Sequence, residues 1–266
     1  MRLCSITSGS SGNCIYVGSE TTHLLVDVGI SGKRTMEGLS QLDLTGRDLD
    51  GILVTHEHMD HIAGLGVMAR KFHIPIYATP GTIQAIKECS SVGAIEEELF
   101  VPVAADTKTF IKDLVINPIK ISHDAAQPVG YRIGYGKQKV AVCTDLGYFD
   151  DYIVESLRGL DAVLLEANHD VNMLQVGPYP YYLKQRILGN RGHLSNENSG
   201  KLLSRILHDN MQAIVLGHLS KENNLPELAY ESVCMEITMG DNEYKSGDFD
   251  IMVANRSECS KVINIE

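Results

Sequence analysis

The chain has 266 residues, 44% of them hydrophobic, and a formal net charge of −11 at pH 7. A chain of this length and composition can bury one large core, so we expect a single domain over residues 1–266. No window approaches about 18 consecutive apolar residues, which excludes a membrane-spanning helix. The six cysteines show no Cys-x-x-Cys spacing and the first residues lack a signal-peptide pattern, so a cytoplasmic location is expected.

Short strands and helices alternate through the first half of the chain. Strands are predicted at 3–7, 14–17, 24–28 and 51–55, and helices at 32–39, 62–72 and 82–88. The turn from Ser8 to Asn13 is rich in Gly and Ser. Its backbone N–H groups can form an anion-binding nest, in which Ser11 and Asn13 would contact a substrate phosphate. Alternatively, its glycines only shape a hairpin between the first two strands.

The segment after the strand at 51–55 reads His56-Glu57-His58-Met59-Asp60-His61. Imidazole and carboxylate are ligands that suit zinc, manganese or iron, and a strand that stops at a His-x-His pair directs both rings to one side of the next loop. Asp60 and His61 follow about one helical turn later, so they can face a second ion. The segment therefore predicts a metal site with room for two divalent ions.

The second half of the chain alternates in the same way. Strands are predicted at 114–121, 129–134, 140–144, 162–165, 213–216 and 249–254, and helices after Asp150 and at 181–188, 197–208 and 226–235. Three of these strands lead into further metal-ligand types, which are His123, Asp145 and His218. The carboxyl ends of strands are where an α/β sheet presents its site. The alternation predicts an α/β fold of two sheets packed face to face with helices outside.

Residues 171–196 contain no Asp or Glu, although the whole chain is acidic. A net charge of −11 argues against nucleic acid as a partner, because a polyanion normally meets a basic surface. This stretch nevertheless holds three basic residues and three tyrosines and leads into His193. Such a segment can grip phosphates and stack bases, which makes Arg186 and Arg191 candidate substrate contacts. The alternative is an amphipathic helix opened by two prolines, with half-buried tyrosines.

The pattern His-x-His-x-Asp-His, with the later His and Asp at strand ends, resembles the metallo-β-lactamase superfamily of hydrolases. The resemblance implies an αβ/βα four-layer sandwich of two mixed sheets. It also implies two groups of ligands around a pair of ions: His56, His58 and His123 for one ion, Asp60, His61 and His218 for the other, and Asp145 as a bridge between them. Asp27 matches the acidic residue that steadies the metal loop from behind without touching metal.

Four further motifs resemble the WalJ (YycJ) branch of that superfamily. They are Ser8-Gly9-Ser10-Ser11-Gly12-Asn13, Glu166-Ala167-Asn168-His169-Asp170, Gly192-His193-Leu194-Ser195-Asn196 and Gly217-His218-Leu219-Ser220. The resemblance implies a bacterial, cytoplasmic, metal-dependent nuclease that degrades DNA from the 5′ to the 3′ end. Nucleic acid, and DNA in particular, is then the expected partner, with no membrane association.

Chemistry follows from two cations and a proton donor. A hydroxide that bridges two ions can attack phosphorus at neutral pH, and Asp60 would orient it. The Gly-His-Leu-Ser motif resembles that of tRNA-processing relatives such as RNase Z, which implies that His193 protonates the leaving oxygen and that Ser195 contacts substrate. Alternatively, His193 only precedes a helix capped by Ser195. The same ligands also suit a thioester or lactone hydrolase, which is the alternative function.

Overall fold

The structure is a computed structural model that describes all 266 residues. The chain divides into two compact units. The first unit comprises residues 1–120, 125–138 and 255–266, and the second comprises residues 121–124 and 139–254. Because two such units can belong to one domain, the expected single domain stays a prediction. No helix has the length and apolar character needed to cross a membrane.

Fourteen strands and nine α-helices make up the regular structure. The strands are β1 (Arg2–Thr7), β2 (Cys14–Gly18), β3 (His23–Val26), β4 (Gly51–Leu53), β5 (Ile76–Ala78), β6 (Phe100–Pro102), β7 (Thr109–Ile111), β8 (Leu114–Lys120), β9 (Val129–Tyr135), β10 (Gln138–Cys143), β11 (Ala162–Glu166), β12 (Ala213–Gly217), β13 (Ile251–Val253) and β14 (Ile263–Asn264). The helices are α1 (Gly32–Ser40), α2 (Met59–Ile62), α3 (Leu65–Phe72), α4 (Pro80–Glu88), α5 (Asp151–Leu157), α6 (Val171–Val176), α7 (Tyr181–Leu188), α8 (Asn196–Ile206) and α9 (Pro226–Met239).

The first unit is built on a mixed sheet of seven strands in the order β14-β1-β2-β3-β4-β5-β6. Strands β1 to β3 pair antiparallel, whereas β3 to β6 pair parallel. Leu24, Leu25 and Val26 are all fully buried, as is typical of a strand that is covered on both faces. Helices α1 and α3 contribute Leu39 and Met68 to the core against this sheet. The unit also contains the antiparallel ladder of β7, β8 and β9.

The second unit holds the parallel ladder of β10, β11, β12 and β13. Strand β10 stops two residues before Asp145, β11 ends at Glu166, and β12 ends directly before His218. The carboxyl ends of parallel strands meet at one edge of a sheet, so this ladder gathers three potential ligands at that edge. Helix α8 packs against α9, and its first turn is capped by the Ser195 hydroxyl, which accepts a hydrogen bond from the Asn198 N–H at 3.2 Å.

The predicted helix over residues 62–72 is two helices, α2 and α3, with a break at Gly64. The Gly64 N–H donates to the Val28 carbonyl at 2.9 Å rather than to a helical partner. A Cβ atom at this position would lie 2.1 Å from the Ile30 carbonyl oxygen. The helix is therefore interrupted at Gly64, because the backbone there lies very close to the segment that follows β3. Other differences are the short elements β5, β6, β7, α6 and β14, which the sequence pattern missed.

Candidate metal centre

Four side chains of the 56–61 motif form one cluster in the first unit. The His56 Nε2 and His58 Nδ1 atoms are 3.1 Å apart, and the rings of His56 and His61 have centroids 4.1 Å apart. The Asp60 Oδ2 atom lies 3.6 Å from His61 Nε2. His56 and His61 are fully buried, so the surrounding protein fixes the orientation of their imidazoles. The cluster brings together the four ligands that were predicted from this motif.

Asp27 lies behind this cluster and fixes the orientation of one of its rings. Its carboxylate accepts hydrogen bonds from the Thr55 N–H and hydroxyl, both at 2.8 Å, and from His61 Nδ1 at 2.7 Å. Because Nδ1 carries the proton, the Nε2 lone pair of His61 points away from Asp27 and can bind a cation. This is the geometry that the steadying role of Asp27 requires.

The 8–13 turn of the first unit lies against the same motif. Asn13 is fully buried, and its amide Nδ2 lies 3.2 Å from His61 Nε2 and 3.3 Å from the Asp60 carbonyl. The next loop also comes close, because a Cβ atom at Gly29 would lie 1.7 Å from that carbonyl. Sequence reasoning did not single out Gly29. Asn13 thus supports the metal loop, while Ser11 is exposed, and substrate contact by either residue stays a prediction.

A second cluster forms around Asp145 in the second unit. The Asp145 Oδ1 atom lies 3.6 Å from His123 Nε2, 3.6 Å from His193 Nδ1 and 3.5 Å from His218 Nε2. The His123 Nδ1 atom lies 3.1 Å from the Gly192 carbonyl, which turns Nε2 of that ring toward Asp145. Segments far apart in the sequence therefore bring three imidazoles close to one carboxylate.

Glu166 is the residue of this cluster that the sequence reasoning missed as a site residue. It is fully buried, and its Oε1 atom accepts from His193 Nδ1 at 2.7 Å and from His218 Nδ1 at 3.0 Å. Its Oε2 atom accepts from the backbone N–H groups of Leu146 and Leu194 at 2.9 and 3.2 Å. The signal was its place at the end of β11, since Asp145 and His218 follow the ends of the two neighbouring strands.

Glu166 and His193 each favour the charged form of the other residue. Burial raises the pKa of Glu166, but the imidazoles of His193 and His218 outweigh burial and lower this pKa to about 2. Burial likewise lowers the pKa of His193, but the Glu166 carboxylate outweighs it and leaves the pKa above its usual value. For His123, burial prevails over Asp145 and lowers the pKa. Glu166 thus favours the protonated form of His193, whereas burial favours the neutral form of His123.

Backbone conformation marks several of the same positions. Asp27, Asp145 and His218 have φ angles of 62°, 59° and 55°, in the left-handed region that residues other than glycine seldom occupy. Each such residue costs roughly 1 to 3 kcal/mol, and the surroundings must hold it there. At His218, the side-chain amide of Asn168 donates to the backbone carbonyl at 2.9 Å. The turn at each of these strand ends redirects the side chain away from the strand.

The predicted substrate contacts of the second unit have mixed surroundings. The Arg186 guanidinium pairs with Asp124, and the Arg191 Nε atom donates to the His123 carbonyl at 3.3 Å. Ser195 is buried and caps α8, so substrate contact by this residue stays a prediction. Helices α6 and α7, with their connection, form an arm over residues 171–188 that we call the α7 arm. Its Tyr181 and Tyr182 are exposed, which differs from the half-buried alternative.

The donor atoms of the second cluster fit a metal ion. One ligand atom from each of Asp145, Glu166, His193 and His218 lies within 4.8 Å of the others. Nitrogen and oxygen donors of this kind bind zinc, manganese or iron in proteins. Of these four, Glu166 and His193 were not predicted as ligands, and their mutual hydrogen bond gives them a different role from that of Asp145 and His218.

Comparison with known proteins places this site in a family. Residues 22–218 match the model of the beta-lactamase superfamily domain. The chain therefore belongs to the metallo-β-lactamase superfamily, as its motifs indicate. A solved structure of Zn²⁺-bound PqqB from Methylobacterium extorquens superimposes with a TM-score of 0.71 at 14% identity, covering 99% of this chain and 100% of that one. This likeness confirms the α/β fold class with two mixed sheets.

Two relatives define the branch within the superfamily. Exodeoxyribonuclease YycJ of Bacillus anthracis is 43% identical over 229 residues, which cover 86% of each chain. Exodeoxyribonuclease WalJ of Streptococcus pneumoniae is 41% identical over 237 residues, which cover 89% of this chain and 88% of that one. These identities confirm the resemblance to the WalJ (YycJ) branch that the four sequence motifs indicate.

Proposed function

We propose that this protein is a metal-dependent exonuclease that degrades DNA from the 5′ to the 3′ end. The observation that carries the proposal is the identity of 41 to 43% to two relatives named exodeoxyribonucleases, over most of both chains. Identity at this level over most of both chains makes a common reaction the simplest inference. The acyl-hydrolase alternative has no such support.

We further propose that the two clusters supply ligands to two divalent ions, with zinc, manganese and iron as the candidates. His56, His58 and His123 would hold one ion, Asp60, His61 and His218 the other, and Asp145 would bridge them. The family match over residues 22–218, which includes all seven residues, supports this assignment. The carboxylates behind the rings support it too, because Asp27 and Glu166 each leave an Nε2 atom ready to bind metal.

The residues of the chain then have distinct tasks in cleaving a phosphodiester. Two bound divalent ions would supply activated water and neutralise charge on the phosphate. Asp60 would position the attacking group. His193 would donate a proton to the leaving oxygen, a role that fits its raised pKa and its hydrogen bond to Glu166. Arg186 and Arg191 would contact phosphates of the substrate strand.

The experiment that tests this function is digestion of end-labelled single-stranded and duplex DNA and RNA. Purified protein is assayed with manganese, zinc, iron and magnesium in turn, and with a small thioester and a lactone in the same buffers. We expect mononucleotides released from the 5′ end of DNA and no turnover of the esters. Efficient ester cleavage with every nucleic acid left intact would establish the acyl hydrolase instead. The cytoplasmic location stays a prediction, which fractionation of the source bacterium would test.

A further inference from the structure

Two tyrosines of the second unit are largely exposed to solvent, which is unusual for aromatic side chains. The side chains of Tyr181 and Tyr182 are 78% and 74% exposed, at the first turn of α7. No residue of α7 is fully buried and only Leu183, Lys184 and Ile187 are partly buried, so this helix contributes little to the hydrophobic core. Val176 at the end of α6 is 86% exposed. A group of exposed rings and apolar side chains on one arm indicates a binding surface.

Hydrogen bonds and prolines restrain the backbone of the α7 arm that carries these rings. The Lys184 ammonium group donates to the carbonyls of Gln175 and Gly177, both at 2.7 Å, and so joins the end of α6 to α7. Pro178 and Pro180 restrict the backbone of the connection between these helices. A surface that is already ordered loses little entropy when a ligand binds. The backbone that carries the two tyrosines is therefore restrained before a ligand binds.

The other end of α7 is attached to the ligand cluster around Asp145. Arg186 pairs with Asp124, whose Oδ1 atom is 3.4 Å from His123 Nε2. The His193 N–H donates to the Ile187 carbonyl at 3.0 Å. Since Tyr182 and Arg186 are four residues apart, they share one helix face, about 6 Å apart along the axis. Tyr182 and Arg186 thus lie in a row on one face of α7, and this row leads to the cluster around Asp145.

The charge of the α7 arm and of the residues after it indicates which kind of ligand this row of side chains would bind. Residues 171–196 contain no acidic side chain in a chain with a net charge of −11. Exposed rings beside arginines suit a flexible polyanion whose own rings are available for stacking. Single-stranded DNA has this character. In a duplex the bases already stack on one another inside the helix, so their faces are closed to a protein side chain.

We propose that Tyr181 and Tyr182 form a stacking platform for unpaired bases of a DNA strand whose phosphates contact Arg186 and Arg191. The inference rests on the proposed nuclease function and adds to it a preference for single strands near the site. The platform binds bases through their faces, so it works for every sequence. It places an unpaired stretch of the strand beside the residues that cleave it.

Paired variants test the platform. Replacing both tyrosines by leucine (Tyr181→Leu with Tyr182→Leu) keeps apolar bulk and removes the rings, whereas replacing both by phenylalanine keeps the rings. Tyr230→Leu on α9 is the matched control, because that tyrosine is 39% exposed in the same unit. Binding of a fluorescent phosphorothioate strand, which resists cleavage, is measured by anisotropy for manganese-loaded protein. The same strand in duplex form is the second ligand.

We expect the leucine pair to bind the single strand about ten-fold or more weakly and the duplex nearly as well as the unsubstituted protein. The phenylalanine pair and Tyr230→Leu should behave like the unsubstituted protein. Equal loss for strand and duplex, or no loss for either, overturns the platform.

Degradation assays separate this failure from failure of the nuclease function. If the unsubstituted protein degrades DNA and the leucine pair does so with unchanged KM for single strands, the platform is wrong and the nuclease stands. If the unsubstituted protein neither binds nor cleaves DNA, both proposals are wrong. Circular dichroism and thermal melting show whether each variant is folded.

Discussion

In both clusters a buried carboxylate orients histidine rings through hydrogen bonds, but the two carboxylates contact different numbers of rings. In the first unit, Asp27 fixes the single ring of His61 and otherwise binds Thr55, two residues after the end of β4. In the second unit, Glu166 fixes both His193 and His218 with one oxygen atom. The first cluster is thus a local loop with a support behind it. The second depends on the relative position of several strand ends.

Exposure of the imidazoles separates the clusters further. The His61 side chain is fully buried, whereas the His193 side chain is 20% exposed while its Nδ1 atom bonds to a fully buried carboxylate. A closed imidazole suits metal binding, because water cannot compete for it. A partly open imidazole whose pKa is raised suits proton donation to a substrate. Under the proposed function, the first unit would mainly hold metal, and the second would also supply the proton donor.

The largest effect is expected from Asp145→Ala, which removes the carboxylate around which three histidines gather. Loss of residues that only support ligands typically costs 10 to 100-fold in metal affinity or activity, so loss of the proposed bridge should cost more than about 100-fold. Metal content by atomic emission and turnover on DNA measure it. Asp150→Ala, at the cap of α5, is the control and should lose only about 1 kcal/mol of stability. Retention of two metals with full activity would refute the bridging role.

The variant His193→Ala tests whether His193 acts as a proton donor or as a metal ligand. A proton donor acts mainly in the transition state, so turnover should fall by about 10²- to 10⁴-fold with little change in DNA binding. Single-turnover rates and anisotropy measure the two separately. If the variant instead loses a metal ion, His193 is a ligand and the two units do not differ in the way proposed.

Glu166→Gln and Asp27→Asn compare the two supports directly. Each keeps the shape and removes the charge, and we expect losses of about 10 to 100-fold, with the larger for Glu166 because it serves two rings. Glu166→Gln should also lower the pKa of His193, since this carboxylate raises it. A donor must be protonated, so the alkaline limb of the kcat profile should move to lower pH. An unchanged limb with reduced kcat would show that Glu166 has no influence on proton donation.

The sequence predicted the first cluster well because its ligands are adjacent in the chain. Four candidate ligands within six residues need only a local turn to meet, and Asp27 was singled out through the family resemblance. The fold class followed from alternation and from the family motifs. His123, Asp145 and His218 were recognised by the same strand-end rule together with the resemblance.

Glu166 and Gly29 were missed because their importance lies in tertiary contacts, and the position of Glu166 at the end of β11 was the one sequence signal for either residue. Glu166 reads as one more acidic residue until the register of β10, β11 and β12 places it between two imidazoles. Gly29 matters only through the backbone that passes it, as a Cβ atom would lie 1.7 Å from the Asp60 carbonyl. Short strands such as β5 and β14 have too few residues to show a two-residue period.

The smallest expected effect is on the acid stability of the metal-free protein. Glu166 has its pKa lowered from 4.5 to about 2, so its contribution is present above pH 4.5 and is lost as pH falls toward 2. His193 has its pKa raised above 6.5, so its contribution is complete below pH 6.5 and is lost as pH rises through the folded-state pKa.

The stability difference between the unsubstituted protein and Glu166→Gln should therefore be greatest between pH 4.5 and 6.5 and smaller on both sides. Urea unfolding near pH 3, about pH 5.5 and about pH 9 measures it in chelator-treated protein. Asp27→Asn serves as the comparison in the first unit. A difference for Glu166→Gln that stays constant across these pH values would mean that Glu166 acts through its shape and hydrogen bonds alone, and that the ion pair with His193 adds no stability to the second cluster.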